Sequence, residues 1–383
     1  MRVVCLNNIS PTGLNEFTKK YEIIDDLTKA ELIVVRSAQM HDIDLPKKLL
    51  AIARAGAGVN NIPLDKMAEA GVVVFNTPGA NANGVKELVI AGLLIASRDI
   101  VGGVNWVKAN QTDEAISKSI EKAKVAFGGN EIFGKTIGVI GLGAVGGKVA
   151  EACFNLGMKV IGFDPYLSDE ARSTLPNEIM LTDNLDQIYK VSDFMSLHLP
   201  LLDSTRYMMN EEVFEKVKPG CTLLNFSRDA LVDDDDLEQA IASGKIKKYV
   251  TDFPNYKTAN MENVICIPHL GASTEESEEN CAYMACHELM KFVETGTIMN
   301  SVNYPRIDPG KQESVSRIVV LHQKEDLMVQ FMDILFNKPV LNIITKTKGS
   351  KSVTIFDIDE DIPLDCLHKF KELEGVIRVR KIS

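Results

Sequence analysis

Apolar residues in this chain fall in short β-branched runs separated by longer mixed stretches, and that alternation sorts the sequence into strands and helices. From Met1 to about Asn76 the runs Val3–Leu6, Leu32–Val35, Leu49–Ala53 and Val72–Phe75 alternate with polar, helix-like segments. Such alternation predicts a parallel sheet with crossover helices. From Gly134 to Pro268 it recurs more strongly, with runs at 137–140, 159–163, 194–197, 222–226, 248–251 and 264–267. Six strands suit a complete doubly wound domain. Val85–Ser97 and Thr274–Glu294 read as helices, rich in helix formers and free of proline. The first sheet has few strands, so the second of these helices is expected to return to it and make that domain discontinuous.

Proline and turn residues between Gly296 and Lys311 predict a linker. After it, strand 315–321, helix 325–337, the hairpin 340–347 and 352–358, helix 363–373 and strand 376–382 give the order βαββαβ. The predicted class is α/β: two doubly wound parallel-sheet domains and a small C-terminal domain. Residues 1–97 form the first part of the first domain, 98–272 the second domain and 273–300 the returning helix. Residues 301–314 form the linker and 315–383 the tail domain.

Composition changes this picture little, with 45% hydrophobic and 25% charged residues over 383 positions. The longest near-unbroken apolar run, Leu88–Ala96, is far shorter than the ~20 residues that cross a bilayer, so no membrane association is expected. The N-terminus MRVVCLNNIS lacks the longer apolar core of a signal peptide and reads as a first strand. Seven scattered cysteines, never spaced C-x-x-C, argue against both a disulfide framework and a metal site and favour a reducing cytoplasm. The net charge, 42 − 53 = −11, with no basic cluster along the sequence, argues against nucleic acid. A small anionic substrate would need a few cationic side chains focused in one cleft.

The chemistry concentrates in three places. Strand 137–140 runs directly into Gly141-Leu142-Gly143-Ala144-Val145-Gly146 and then a helical stretch, which is G-x-G-x-x-G in the context its mechanism requires. Its parts are a tight turn, a close approach to pyrophosphate and a helix N-terminus facing the anion. The next strand ends at Asp164, 18 residues past Gly146, where a carboxylate can accept hydrogen bonds from ribose hydroxyls and repel a 2′-phosphate. NAD is therefore the expected cofactor. Arg228 follows strand 222–226, at the strand end where open α/β sheets bind ligands. It is either a carboxylate clamp or a surface partner of Asp229 and the acidic run 233–236. His269 follows strand 264–267, and a histidine at a cleft edge suits proton removal from an alcohol near neutral pH. Of the six histidines only His198 also ends a strand, and a proline turns the chain just after it.

These residues resemble the D-isomer-specific 2-hydroxyacid dehydrogenases, in the branch that oxidises 3-phospho-D-glycerate to 3-phosphohydroxypyruvate at the start of serine synthesis. The likeness runs through 54–62, 75–81, 86–88, the glycine fingerprint with Asp164-Pro165-Tyr166, 224–228, 231–233 and 269–274, nearly all of residues 1–300. It implies that Arg228 binds the substrate carboxylate, that His269 takes the hydroxyl proton, and that Arg54 holds the phosphate. It further implies cofactor contacts from Thr77, Ala144, Val145, Leu199, Phe226, Ser227 and the Leu270-Gly271-Ala272 backbone. Asp252 would contact the carboxamide. A homo-oligomer, dimer or tetramer, and an ACT-like regulatory tail are also implied.

The chain departs from the family twice. Relatives carry a glutamate beside the catalytic histidine, and counting from Asp252 puts Lys257 in that position. The carboxylate that would favour imidazolium is then absent unless another acid substitutes. In serine-sensing ACT domains a loop rich in Asn, Pro and Gly follows the first strand, where this chain has Gln323-Lys324-Glu325-Asp326. Asn342 is kept and the glycine is not, so serine inhibition is not expected. The alternative functions are a glyoxylate or hydroxypyruvate reductase, which shares the other motifs, and a non-catalytic NAD-bound scaffold or sensor.

Overall fold

The structure, a computed structural model, describes residues 1–323 and 326–382. Two compact units form, one from Met1–Asn81 with Glu275–Ser383 and one from Ala82–Thr274.

The first unit holds a five-stranded parallel sheet: β1 (Arg2–Leu6), β2 (Glu22–Ile23), β3 (Leu32–Val35), β4 (Ala51–Arg54) and β5 (Val73–Phe75), in spatial order β2-β1-β3-β4-β5. The helix Glu275–Thr295 returns to this sheet, and its Cys281, Ala285, Leu289 and Phe292 share a core with Val34, Ala53 and Phe75. The second unit holds seven parallel strands: β6 (Thr136–Ile140), β7 (Lys159–Phe163), β8 (Met180–Leu181), β9 (Phe194–Leu197), β10 (Cys221–Asn225), β11 (Ile246–Thr251) and β12 (Val264–Cys266). Their order, β12-β11-β10-β9-β6-β7-β8, is doubly wound, and the winding reverses at β6. β2 and β8 have two residues each, too short to leave a periodic signal, so the sequence predicts six strands where seven form.

Two expectations about organisation need correction. The helix Ala82–Ser97, assigned above to the first domain, belongs to the second unit. Its Val85, Val89, Leu93 and Ala96 lie in one core with Ile137, Val139, Leu224 and Val250. The segment 301–314 is no loose linker. Tyr304 is wholly buried and donates to Ala68 O at 2.6 Å, Asn303 takes up the backbone of Val72 and Val74, and Ile298 and Ile307 exchange both backbone bonds at 2.8 Å.

The tail strands β13 (Ser316–Gln323), β14 (Val340–Lys348), β15 (Lys351–Ile358) and β16 (Val376–Ile382) form an antiparallel sheet in the order β14-β15-β13-β16. With the helices Met328–Ile334 and Leu364–Glu372 this is βαββαβ. The helix start expected at Glu325 and half of the 323–326 loop lie outside the described residues. Period-two alternation puts Ile318 and Val320 against Phe331, Phe356 and Phe370 on the helix-covered face. Val319, Leu321, Val353 and Ile355 on the other face join Tyr21, Leu289 and Phe292 in the core of the first sheet. β13 is thus buried on both faces, which explains its unbroken apolar run. Arg317, wholly buried, fastens it: Nε and Nη2 donate to Asp357 at 2.6 and 3.0 Å, and Nη1 to Thr295 O and Gly310 O. No described helix is long and apolar enough to cross a membrane.

Candidate active site

The glycine loop leaves β6 at the reversal of strand order, and its geometry passes a test for dinucleotide. Gly141 has φ +91°, and a Cβ there would lie 2.4 Å from His198 O. A Cβ at Gly146 would lie 1.8 Å from Gly141 O, so the helix Gly146–Asn155 starts as close to the strand as chain geometry allows. A Cβ on Gly143 would meet nothing within 4 Å, which leaves its side open to a pyrophosphate. No side chain caps this helix N-terminus, where Ala144 is exposed and Val145 is the N-cap, so its amides suit an anion. Asp164 accepts from Leu142 N and Tyr166 N, both at 2.9 Å, which holds the carboxylate beside the loop.

On the other side of the reversal, β10 leads through buried Asn225 into the Ser227–Arg228 turn. Asn225 Nδ2 donates to Arg228 O at 2.8 Å and its Oδ1 accepts from Ser227 N, while Ser227 Oγ donates to Leu197 O at 2.7 Å. The turn therefore rests on two neighbouring strands. Arg228 Nη1 donates to Ser227 O at 2.5 Å. Among the described residues no acid lies within ion-pair distance of Arg228, so the alternative of a partner at Asp229 or in 233–236 is not realised. Its guanidinium stands 5.6 Å from the Phe253 ring centroid, and the His269 ring stands 4.4 Å from that centroid, tilted by 46°. One aromatic ring thus carries both candidate catalytic groups. Phe253 gives no signal in the sequence beyond adjacency to Asp252.

Asp252 is 1% exposed, and its Oδ1 has no hydrogen-bond partner among the described residues. Burial raises its carboxyl above the ordinary value, opposed by His269, the Gly271 amide and Arg228. A buried acceptor left open beside His269 suits an amide donor such as the nicotinamide carboxamide. His198 plays another part. Its Nε2 meets Ser196 Oγ at 2.8 Å, and burial of the ring pushes its pKa down to about 4, so it stands neutral in the wall of the glycine loop.

Lys257 lies away from these groups. It ion-pairs with Asp235 and, at 3.1 Å, with Glu238 on the helix Asp234–Ala242. The helix has drawn the ammonium to its acidic side. Glu262 is exposed, and His269 is among the groups that oppose the burial-driven rise of the Asp252 carboxyl. Of the remaining expected cofactor residues, Phe226 buries its ring at Gly92 and Leu199 packs on the core beside β9, while Leu270 is 45% exposed and Ala272 half-buried.

In the first unit, Arg54 ends β4 and its Nε donates to Arg36 O at 3.0 Å. Thr77, expected at the cofactor, is wholly buried, and its hydroxyl accepts from Gly56 N at 2.7 Å. Its side chain fastens the loop that follows Arg54.

A doubly wound sheet with a glycine loop at the reversal of its strand order, and with Arg228 and His269 at neighbouring strand ends, has the architecture of a dinucleotide-dependent dehydrogenase. Residues 90–271 match the family described as D-isomer specific 2-hydroxyacid dehydrogenase, NAD binding domain. A hydroxypyruvate reductase of Thermotoga maritima is 34% identical over 289 residues, covering 72% of this chain and 89% of that protein. A D-3-phosphoglycerate dehydrogenase of Methanocaldococcus jannaschii is 31% identical over 332 residues, 84% of this chain but 60% of that protein's length. Among solved structures, the NAD+-bound 3-phosphoglycerate dehydrogenase of Entamoeba histolytica superposes with a TM-score of 0.62 at 26% identity, covering 79% of this chain and 98% of that one. The chain belongs to the D-isomer-specific 2-hydroxyacid dehydrogenase family, and its cofactor is NAD.

Proposed function

We propose that the chain catalyses the NAD-dependent oxidation of 3-phospho-D-glycerate to 3-phosphohydroxypyruvate. The observation that carries the reading is the pairing of Arg228 and His269 on the Phe253 ring at the strand ends beside the dinucleotide loop. Arg228 has no acid partner and a planar fork that suits a carboxylate, so it holds the substrate acid and draws electron density from C2. His269 takes the hydroxyl proton. Bound NAD supplies the hydride acceptor, held by the Gly141–Gly146 loop, by Asp164 at the ribose and by Asp252 at the carboxamide. Arg54 holds the phosphate. The similarity to D-3-phosphoglycerate dehydrogenases over 84% of this chain supports the phosphorylated substrate.

A second reading, reduction of hydroxypyruvate or glyoxylate, is favoured by the 34% identity to a hydroxypyruvate reductase. Following NADH absorbance with phosphorylated and unphosphorylated 2-hydroxy acids separates the two. Turnover of phosphoglycerate at least tenfold more efficient than that of glycerate supports the first reading, and the reverse order overturns it. His269→Ala that binds NAD and still turns over would remove the mechanism.

A homo-oligomer belongs to the same proposal. The helix Ile100–Ala109 buries none of its residues, and its Ile100, Val101, Val104 and Val107 are 40–50% exposed, an apolar stripe suited to a second copy. The tail, βαββαβ in order, is proposed as an ACT-like regulatory module.

A further inference from the structure

The chain carries a net charge of −11 and no basic run, yet five cations gather at one cavity in the first unit. The cavity, about 480 Å³, is lined by Lys47, Lys48, Lys371, Arg378 and Arg380, with Glu31 the one acid among its walls. These residues come from three distant stretches: the loop before β4, the end of the helix Leu364–Glu372, and β16.

The charge is uncompensated. Glu31 already accepts from Arg2, at its amide and its guanidinium. Arg378 donates to the carbonyls of Leu49, Lys47 and Ala70, and Arg380 to those of Phe292 and Val293 with its guanidinium 4.6 Å from the Phe292 ring centroid. Neutral carbonyls satisfy the N–H groups and leave the charges standing. Burial lowers the pKa of both arginines, and for Arg380 the neighbouring Arg378 lowers it further, to about 10. Arg380 therefore stays charged at neutral pH. Among the described residues Lys47, Lys48 and Lys371 enter no ion pair, and all three are exposed. Like charges crowded this way repel one another, and an anion among them removes the repulsion.

We propose that this cavity binds a small, multiply charged phosphoryl anion. Phosphoryl is preferred to carboxylate because the planar arginine forks, which match carboxylates, are spent on backbone carbonyls. Three mobile ammonium groups remain, and these act as point charges toward the oxygens of a phosphate. The volume matches a molecule of metabolite size. A bound anion would join β16 of the tail to the loop before β4, so its occupancy would be felt as stability of the first unit.

The test uses the full chain and inorganic pyrophosphate. Isothermal titration should show a saturable site, and the thermal midpoint of the first unit should rise with pyrophosphate concentration. Malonate at equal concentration should bind at least tenfold more weakly. Lys47→Gln, Lys48→Gln and Lys371→Gln combined should weaken that site at least tenfold while NAD affinity is retained, since among the described residues these exposed side chains make no ion pair. Lys371→Gln alone, the mildest change, should weaken it about threefold and serves if the combined variant does not fold. Equal pyrophosphate affinity in the wild-type and variant chains, or malonate binding as tightly as pyrophosphate, overturns the proposal.

Discussion

Cutting the chain after Asn300 removes everything the sequence assigns to linker and tail, and a separate tail would leave the rest intact. The structure predicts the opposite. Tyr304, Ile307, Val319, Leu321, Val353, Ile355 and Ile382, all at most 8% exposed, share one core with Tyr21, Leu289 and Phe292. Each such side chain contributes ~1.5–3 kcal/mol on burial, so seven contribute ~10–20 kcal/mol. The surface they cover on the remaining chain loses about half of that, ~5–10 kcal/mol, comparable to the whole stability of a domain. Arg317 adds to the loss, because its bonds to Thr295 O and Gly310 O tie the tail to the end of the returning helix. Expression of residues 1–300 should give an insoluble product, or one whose first unit shows no cooperative melting by calorimetry. The second unit, with its own core of Ile137, Val149, Leu224 and Val250, is expected to keep NAD binding where it stays soluble. A soluble 1–300 chain with the wild-type melting profile and full turnover would refute the reasoning.

The other expectations are narrower. With Asp164 held beside the loop, NAD should be preferred to NADP at least tenfold, about 1.4 kcal/mol, and equal kcat/KM with both would reject that role. Arg54→Ala should raise KM for phosphoglycerate and leave weak activity on an unphosphorylated analogue unchanged; a similar loss on both makes Arg54 structural. His198 is held near pKa 4 in the folded chain against an ordinary 6.5, so the unfolded chain binds its proton more tightly. Its contribution is fully present above pH 6.5 and is lost as pH falls toward 4, about 2 kcal/mol between pH 7.5 and 5. Urea unfolding of His198→Gln should show a shallower loss over that interval, and an unchanged slope counts against the assignment. Lys257→Glu would set a third acid against Asp235 and Glu238, so it should lower the melting temperature and leave the pH profile of turnover in place. An upward shift of the acidic limb would instead put residue 257 at the histidine.

What the sequence makes legible follows signal length. β3, β7 and β9 are read to the residue, because each is a short, mostly apolar run of four or five residues that ends at a charged or polar residue. β2 and β8 have no such run. The glycine loop and Asp164 are legible because their spacing is the mechanism itself. The 301–314 segment misleads for the reason turn residues usually persuade: Pro305 and Pro309 break regular structure, yet Tyr304 and Ile307 between and beside them are buried. Irregular backbone is compatible with a core when side chains such as Asn303 complete its hydrogen bonds. The basic cavity is invisible for a different reason, since residues 47, 371 and 380 meet only through the fold.

Lys257 shows how the two kinds of inference meet. Position counting assigns it to the place of a catalytic carboxylate, and from the sequence it stands as a charge reversal beside a base. The structure removes the conflict, because the acidic run 233–236 that could have bound Arg228 begins the helix that binds Lys257 instead. The ammonium is neutralised there, and among the described residues Arg228 forms no ion pair with an acid. The His269 ring instead lies against the Phe253 ring, tilted by 46°, with the buried Asp252 one residue before Phe253 in the chain. The neighbours of His269 at the end of β11 are therefore an aromatic ring and a buried carboxyl, while Lys257, counted into that place from the sequence, is held by the helix Asp234–Ala242.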